Sequence, residues 1–317
     1  MSFLHKLPKP FFIMAPMANV TDAAFRRIIA KYGKPDVMYT EFVSANGLLS
    51  PGREVLLKDL LFSEVERPII AQLFTADPEK MYGAAKLIQE LGFDGLDINM
   101  GCPDKNVMKQ GAGACLMKNP SLARELMKAA KAGAPNIPLS IKTRIGDTKN
   151  TLQDWLPELL AEKPEMIIVH GRTRKEMSKV PARWDTIAEA VEIARGSGTL
   201  IVGNGDAMDI ADARAKAEQT GCDGVMLGRA IFGNPWLFNT EKNISDISIS
   251  ERLSVMIEHS TLFMELLGDI KSFHIMRKHY KAYANGFDGA KELRIELMKT
   301  ENIQEVEEIV KKFLQKK

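Results

Sequence analysis

Short apolar runs recur along the chain with amphipathic segments between them, the pattern of parallel strands covered by helices. Eight runs stand out: FFIMAPM (11–17), VMYTEF (37–42), IIAQLF (69–74), GLDINM (95–100), LSIKTRI (139–145), MIIVHG (166–171), TLIVGN (199–204) and GVMLGR (224–229). The segments between them carry helix punctuation. DAAFRRIIAKYG opens on Thr21 or Asp22 as a cap, and DPEKMYGAAKLIQELG has Pro78 in its first turn and Gly92 after its last. Eight such units over about 230 residues have the size of a (β/α)8 barrel, so the predicted class is an α/β TIM barrel.

After Trp236 the period changes. ISISERLSVMIEHSTLFMELLG, KSFHIMRKHYKAYANG, DGAKELRIELMKTEN and IQEVEEIVKKFLQKK are helical in period, and none reads as a strand. The expected organisation is a barrel domain over 1–243 and a small C-terminal all-α helical domain over 244–317.

Composition narrows the function classes. With 45% hydrophobic and 26% charged residues the chain is expected to be a globular protein. Forty-three Lys plus Arg against 41 Asp plus Glu leave a net charge of +2, so any basic surface must come from distribution. Three cysteines without CxxC or clustered Cys/His spacing disfavour a disulfide framework and structural zinc, and a reducing cytoplasm fits best. The N-terminal apolar run is short and broken by Pro16, and nowhere do about 18 apolar residues run together, so neither export nor membrane spanning is expected.

In a (β/α)8 barrel the active site lies at the C-terminal ends of the strands. Those ends carry Pro16, Met17 and Ala18 (strand one), Gln72 (three), Asn99 and Cys102 (four), Lys142 and Arg144 (five), and His170 and Arg172 (six). Strand seven ends in GNGD, Gly203 to Asp206, and strand eight in LGRAIFGNPW, Leu227 to Trp236. Glycines after strands seven and eight let backbone N–H groups approach phosphate oxygens, and Arg229 adds a charged fork. Taken singly, Gly203, Gly205 and Gly228 read as turn glycines; their joint placement points to a phosphate-bearing cofactor.

Lys142 is either a snorkelling or ion-paired lysine or a buried cation facing an electron-rich ring. His170 is a packing histidine or a donor to a cofactor phosphate or ring, with no metal-ligand companion at suitable spacing. The Gln72 amide suits either an interior hydrogen bond or the edge of a flavin or base. Gly111 and Gly113, in GAGAC, lie too far past strand four for a dinucleotide loop and read as a loop shaping the mouth. Cys102 begins with four readings: core filler, half a disulfide, metal ligand or reagent. The missing partner spacing disfavours the second and third, and its place after strand four moves it toward the barrel mouth.

A set of segments in fixed order resembles the dihydrouridine synthase family, flavin enzymes that reduce uridine in RNA. They are APMANVTDAAFRR (15–27), AQLF (71–74), LDINMGCP (96–103), GAGACLMKNP (111–120), IKTRIG (141–146), VHGRTR (169–174), VGNGD (202–206), DGVMLGRAIFGNPW (223–236) and MRKHYKAYANGFDGAKELR (276–294). The resemblance implies a barrel holding FMN and a C-terminal helical domain that helps bind tRNA. Pro16, Met17 and Ala18 would line the flavin, Gln72 and Lys142 would contact its ring, and His170 would sit near it. Asn204, Gly205, Asp206, Gly228 and Arg229 would hold its ribityl phosphate end.

Cys102 falls on the family's catalytic cysteine. NADPH would reduce FMN, the flavin N5 would pass hydride to uracil C6, and the Cys102 thiol would protonate C5. A uridine turned out of folded tRNA needs backbone contacts to offset its unstacking. The expected RNA-contacting set is Asn99, Arg144, Arg172 and Arg174 at the mouth, with Lys271, Arg277, Lys278 and Lys281 in KSFHIMRKHYKAYAN, which has no Asp or Glu. A solvated helix face is the ordinary meaning of such a run.

Two departures from the family pattern are Asn19, where glycine is usual, and Cys115, where a small residue is usual. A monomer is expected, with no metal and no membrane partner. The alternatives are an FMN barrel oxidoreductase of a small molecule, a synthase acting on ribosomal RNA, and a non-catalytic tRNA-binding flavoprotein.

Overall fold

The computed structural model describes residues 2 to 316; Met1 and Lys317, the outer ends of the two expected domains, lie outside the described residues. Eight strands form: β1 Phe11–Met14, β2 Met38–Ser44, β3 Ile69–Phe74, β4 Gly95–Met100, β5 Leu139–Arg144, β6 Met166–His170, β7 Leu200–Asn204 and β8 Gly224–Leu227. Each of the eight predicted apolar runs supplies one strand. They pair in parallel in the order β1-β8-β7-β6-β5-β4-β3-β2. A parallel bridge between Ile13 and Val37 joins β1 to the start of β2. There the Asp36 N–H donates to Phe12 O (3.0 Å) and the Met14 N–H to Val37 O (3.2 Å), and the sheet closes as a (β/α)8 TIM barrel.

Contacts draw two compact units. The first, the barrel, holds the residues up to Ala18, Asp36–Leu61 and Arg67–Gly228. Toward the strand starts its interior is apolar: Leu4, Phe11, Ile13, Ile70, Met166, Ile168, Leu200 and Val202 are buried together. Toward the other end polar side chains enter from several strands: Gln72, Asn99, Lys142, His170 and Asn204. Helices between strands start where the sequence marks them. Asp77 accepts hydrogen bonds from the N–H groups of Glu79 (2.9 Å) and Lys80 (3.2 Å), with Pro78 at the first position of the helix Pro78–Glu90.

The second unit holds Asn19–Pro35, Phe62–Glu66 and the chain from Arg229 onward. Contacts therefore group the chain differently from a cut near Asn243. The helix Ala23–Tyr32, capped by Asp22 through the Phe25 N–H (3.0 Å), buries Ala24 and Ile28 in one core with Trp236, Leu253, Phe263, Tyr280, Leu293 and Val306. Among the described residues this unit has helices and turns and no strand, with the long helix Ile249–Leu267 capped by Ser248. A fully buried ion pair, Arg26 Nε to Glu66 (2.7 Å), ties its pieces together. Arg26 also donates to Thr21 O (2.8 Å), and Glu66 also accepts from the Ser63 N–H (2.8 Å) and hydroxyl (2.9 Å). Asn19 has φ +54°, a left-handed conformation that asparagine tolerates better than most residues, so the turn survives without glycine.

The same core buries two histidines, His259 and His279, with ring centroids 4.6 Å apart and edge to face. Phe25 lies against both, at 5.0 and 4.9 Å. Among the described residues no nitrogen of either ring has a hydrogen-bond partner. No helix among the described residues is long and apolar enough to cross a membrane.

Candidate active site

The mouth is built upward from a polar layer inside the barrel. Register places Gln72 beside Asp97, Asp97 beside Ser140, and Asn99 beside Lys142. The Gln72 Nε2 donates to Asp97 Oδ2 (2.7 Å), and the Asn99 Nδ2 donates to Gln72 Oε1 (2.9 Å). Asn99 Oδ1 then accepts the backbone N–H groups of Gly101 (3.1 Å) and Cys102 (2.8 Å). Gln72 itself is fully buried, and its amide makes these two interior hydrogen bonds.

Cys102 is half-buried against Phe42, Phe74, Val107 and Ala112. Three further contacts hold its loop. Arg144 Nε donates to Gly101 O (2.8 Å), the Ala114 N–H donates to Cys102 O (3.0 Å), and Gly113 (φ +62°) backs onto Cys102 so closely that a Cβ there would meet Cys102 O at 2.8 Å. Only glycine fits that close, left-handed position. The GAGAC stretch, read as a mouth loop, thus supports the cysteine directly. Burial pushes the Cys102 thiol above its ordinary value, and a hydrogen bond from the Asp104 backbone only partly opposes this. That shift favours the thiol over the thiolate, the form that can donate a proton. Cys115 donates its S–H to Met108 O (3.4 Å) and plays a packing part.

Lys142 Nζ donates to Asn204 Oδ1 (2.9 Å), and Asn204 Nδ2 donates to Met226 O (2.8 Å), so one amide bridges β5, β7 and β8. Burial, aided by the Arg144 charge, pulls the Lys142 ammonium down to about 8, while Asp97 and Cys102 oppose the shift. His170 Nε2 stands 3.1 Å from Arg172 Nη1; since arginine only donates, that nitrogen accepts and the imidazole proton sits on Nδ1. Arg172 also pairs with Asp206, which accepts the Ala182 N–H (2.8 Å). Asp206 (φ +55°) and Gly205 (φ +126°) make the sharp turn after β7, and Trp184 Nε1 donates to Gly205 O (3.0 Å).

After β1, Pro16 and Met17 are half-buried and Ala18 is exposed. Met17 Sδ lies 3.6 Å from where a Cβ on Gly228 would stand, so the loops after β1 and β8 meet at that glycine. Arg229 is exposed and opens the turn Arg229–Ile231 in the second unit.

The structure brings together Gln72, Asn99 and Cys102, joins Lys142 to Asn204, and gathers His170, Arg172 and Asp206. It turns two expected RNA-contacting arginines inward. Arg144 and Arg172 are buried, and Arg144 Nη1 donates to Thr173 O and Met177 O (both 3.2 Å). Arg174 pairs with Asp147, which also takes Lys118 (2.8 Å). In the second unit, Arg277 donates to Thr300 O (3.0 Å) and Glu301 (2.8 Å), Lys278 donates to Asn19 O (2.8 Å), Lys281 is exposed and Lys271 half-exposed. Asp97 and Ser140 were missed. A lone ionisable residue inside the apolar run GLDINM was the signal.

A family model described as Dihydrouridine synthase matches residues 13–317. The chain belongs to the dihydrouridine synthase family. A "Probable tRNA-dihydrouridine synthase" of Staphylococcus aureus is 39% identical over 318 residues, covering 98% of this chain and 95% of the relative. "Probable tRNA-dihydrouridine synthase 2" of Bacillus subtilis is 39% identical over 320 residues, covering 99% and 97%. Among solved structures, histamine dehydrogenase from Rhizobium sp. 4-9 superposes with a TM-score of 0.57 at 14% identity, over 79% of this chain and 48% of that one. A 2-naphthoyl-CoA reductase gives 0.56 at 13% identity, over 72% and 49%. These two share the barrel fold alone.

Proposed function

We propose that the chain reduces uridine to dihydrouridine in tRNA, using FMN recharged by NADPH, with Cys102 as the proton donor. The observation that carries this reading is a thiol kept protonated by burial and fixed at the barrel mouth by Asn99, Arg144 and Gly113, in a member of this family. The residues present fit a flavin mononucleotide. Lys142 offers a positive charge beside β5, His170 offers a ring N–H, and Gly205 and Gly228 leave the loops after β7 and β8 without side chains.

Bound at the mouth, FMN would supply the hydride that uracil C6 takes up. Cys102 delivers the proton to C5, and the two additions together saturate the C5–C6 bond. The Lys142 ammonium would stabilise negative charge on a flavin ring held there, and the buried Asp97 carboxylate helps keep that ammonium charged. Arg144 and Arg172 hold the rim loops, while Pro16, Met17 and Ala18 would line the cofactor, and Asn204, Gly205, Asp206, Gly228 and Arg229 would hold its phosphate end. Among the RNA-contacting residues, Lys271, Lys278 and Lys281 track phosphates, while Asn99 and Arg174 stand at the mouth. The chain acts as a monomer in the cytoplasm.

The flavin-loaded protein, given NADPH and tRNA transcribed without modifications, is expected to form dihydrouridine detectable by mass spectrometry. It should oxidise NADPH faster with that tRNA than with free pyrimidines. Tight tRNA binding without turnover, or faster turnover of a small molecule, overturns the reading.

A further inference from the structure

Asp97 is fully buried in the middle of β4, below the mouth. It has no exposed surface through which to reach a substrate. Both its oxygens act as acceptors: Oδ1 takes the Ser140 hydroxyl (2.6 Å) and Oδ2 the Gln72 amide (2.7 Å). Tyr39 OH stands 3.1 Å from the same Ser140 hydroxyl and closes the layer from β2. Burial pushes the carboxyl up to about 7, opposed by those two hydrogen bonds and by the Lys142 charge. The arrangement is built for the ionised form, which accepts and never donates.

That polarity propagates. In its ionised form Asp97 only accepts, so Gln72 turns its Nε2 toward it, which leaves Oε1 facing Asn99. Asn99 must then donate through Nδ2, which leaves Oδ1 facing the backbone N–H groups of Gly101 and Cys102. Reversing Gln72 would set its Oε1 against the carboxylate and its NH2 against that of Asn99, and reversing Asn99 would set an NH2 against the two backbone N–H donors, leaving buried donors without acceptors. Side-chain amides are otherwise free to flip, so the relay takes its direction from its two ends, the acceptor oxygens of Asp97 and the backbone donors of Gly101 and Cys102.

We infer that Asp97 is a positioning residue whose carboxylate anchors the buried end of the Gln72–Asn99 relay and, through it, helps hold the Cys102 thiol in place. The inference rests on the role proposed for Cys102, but its geometry stands without it.

The test separates hydrogen-bond direction from charge. Asp97→Leu keeps similar bulk and removes the acceptor. Asp97→Asn loses the charge yet can keep its oxygen on Gln72, because its NH2 can face Ser140, whose hydroxyl rotates to accept it. The first readout is the rate of Cys102 alkylation by iodoacetamide in the flavin-free protein, followed by peptide mass spectrometry with Cys115 as internal control. Asp97→Leu is expected to shift the Cys102 rate about tenfold and leave that of Cys115 unchanged, and Asp97→Asn to stay within about threefold of wild type.

The second readout is uridine reduction. Here Asp97→Leu should lower kcat about 30-fold with KM for tRNA nearly unchanged, and Asp97→Asn should largely restore it. Wild-type alkylation of Cys102 in folded Asp97→Leu, or an Asp97→Asn as damaged as Asp97→Leu, overturns the inference. Should Asp97→Leu not accumulate folded, Asp97→Ala removes the same acceptor and is judged by the same outcomes. Alkylation needs neither tRNA nor turnover, so a wild-type chain that reduced no uridine would sink the proposed activity and leave this comparison intact.

Discussion

The barrel and the helical unit each bury titratable side chains, and they treat them in opposite ways. In the barrel, Asp97 has two donors, Gln72 and Asn99 pass hydrogen bonds along, and the series ends at the cysteine backbone. In the helical unit, His259 and His279 lie among Phe25, Phe232 and Tyr283 with no hydrogen-bond partner on any ring nitrogen. Low polarity around a satisfied network strengthens and fixes it, whereas around an unsatisfied imidazole it only suppresses the charged form. The first interior is organised toward a chemical end; the second uses histidine as an aromatic packing piece.

The largest expected effect lies at the end of the barrel's network. Cys102→Ala removes the proton donor and should lower the single-turnover rate of uridine reduction about 10²–10⁴-fold while flavin content stays unchanged. A rate near that of wild type would reduce the network to structural support and erase the contrast.

Next comes Lys142, whose ammonium is pulled down to about 8. Lys142→Met should slow flavin reduction or weaken flavin binding, together about 10²-fold. Because the charged form is the useful one, wild-type activity should fall as pH rises through about 8, before the raised thiol of Cys102 begins to ionise. Lys142→Arg keeps the charge across that range and should move the alkaline limb upward in a pH–rate profile. An unmoved limb removes Lys142 from the pH dependence.

Much of this was legible in the sequence, for identifiable reasons. Strands buried on both faces show as continuous apolar runs, so β1 to β8 were visible, and residues ending those runs had to face the mouth. What stayed hidden depends on where a side chain turns once it gets there. Nothing in VHGRTR or IKTRIG says that Arg172 folds back onto Asp206 or that Arg144 grips Gly101 and Met177 rather than solvent. Nor does local pattern show that the helix Ala23–Tyr32, the first in the run of βα signals, shares its core with Trp236 and Tyr280. Such pairings are set by contacts distant in sequence.

The helical side of the comparison yields a smaller, opposite-signed test. Burial holds His279 down to about 3, with the Lys278 charge adding to it, and holds His259 well below its ordinary value, with His279 adding to it. Below the unfolded value of about 6.5 the unfolded chain takes up protons that the native state refuses, so stability is full above that pH and falls as pH drops. Each histidine contributes at most about 1.4 kcal/mol per pH unit to that slope. Urea midpoints at pH 7.5 and 5.0 measure it. Replacing either ring, as in His279→Phe, should make the acid loss shallower. Equal slopes in variant and wild type would mean the imidazoles are satisfied after all.

The smallest effect separates surface from interior within the helical unit. Arg277 is tied to Thr300 O and to Glu301, which also holds His274 (2.6 Å), so its charge is locally balanced. Lys281 is exposed on the helix Arg277–Tyr283. If that face tracks phosphates, Lys281→Ala should weaken tRNA binding only several-fold and reduce the slope of log affinity against log salt by about 1, with flavin content untouched. Arg277→Ala should instead lower stability and leave the salt slope nearly as it was. Identical salt slopes for wild type and Lys281→Ala would move the phosphate contacts off this helix, leaving the helical unit with the aromatic-histidine core as its main feature.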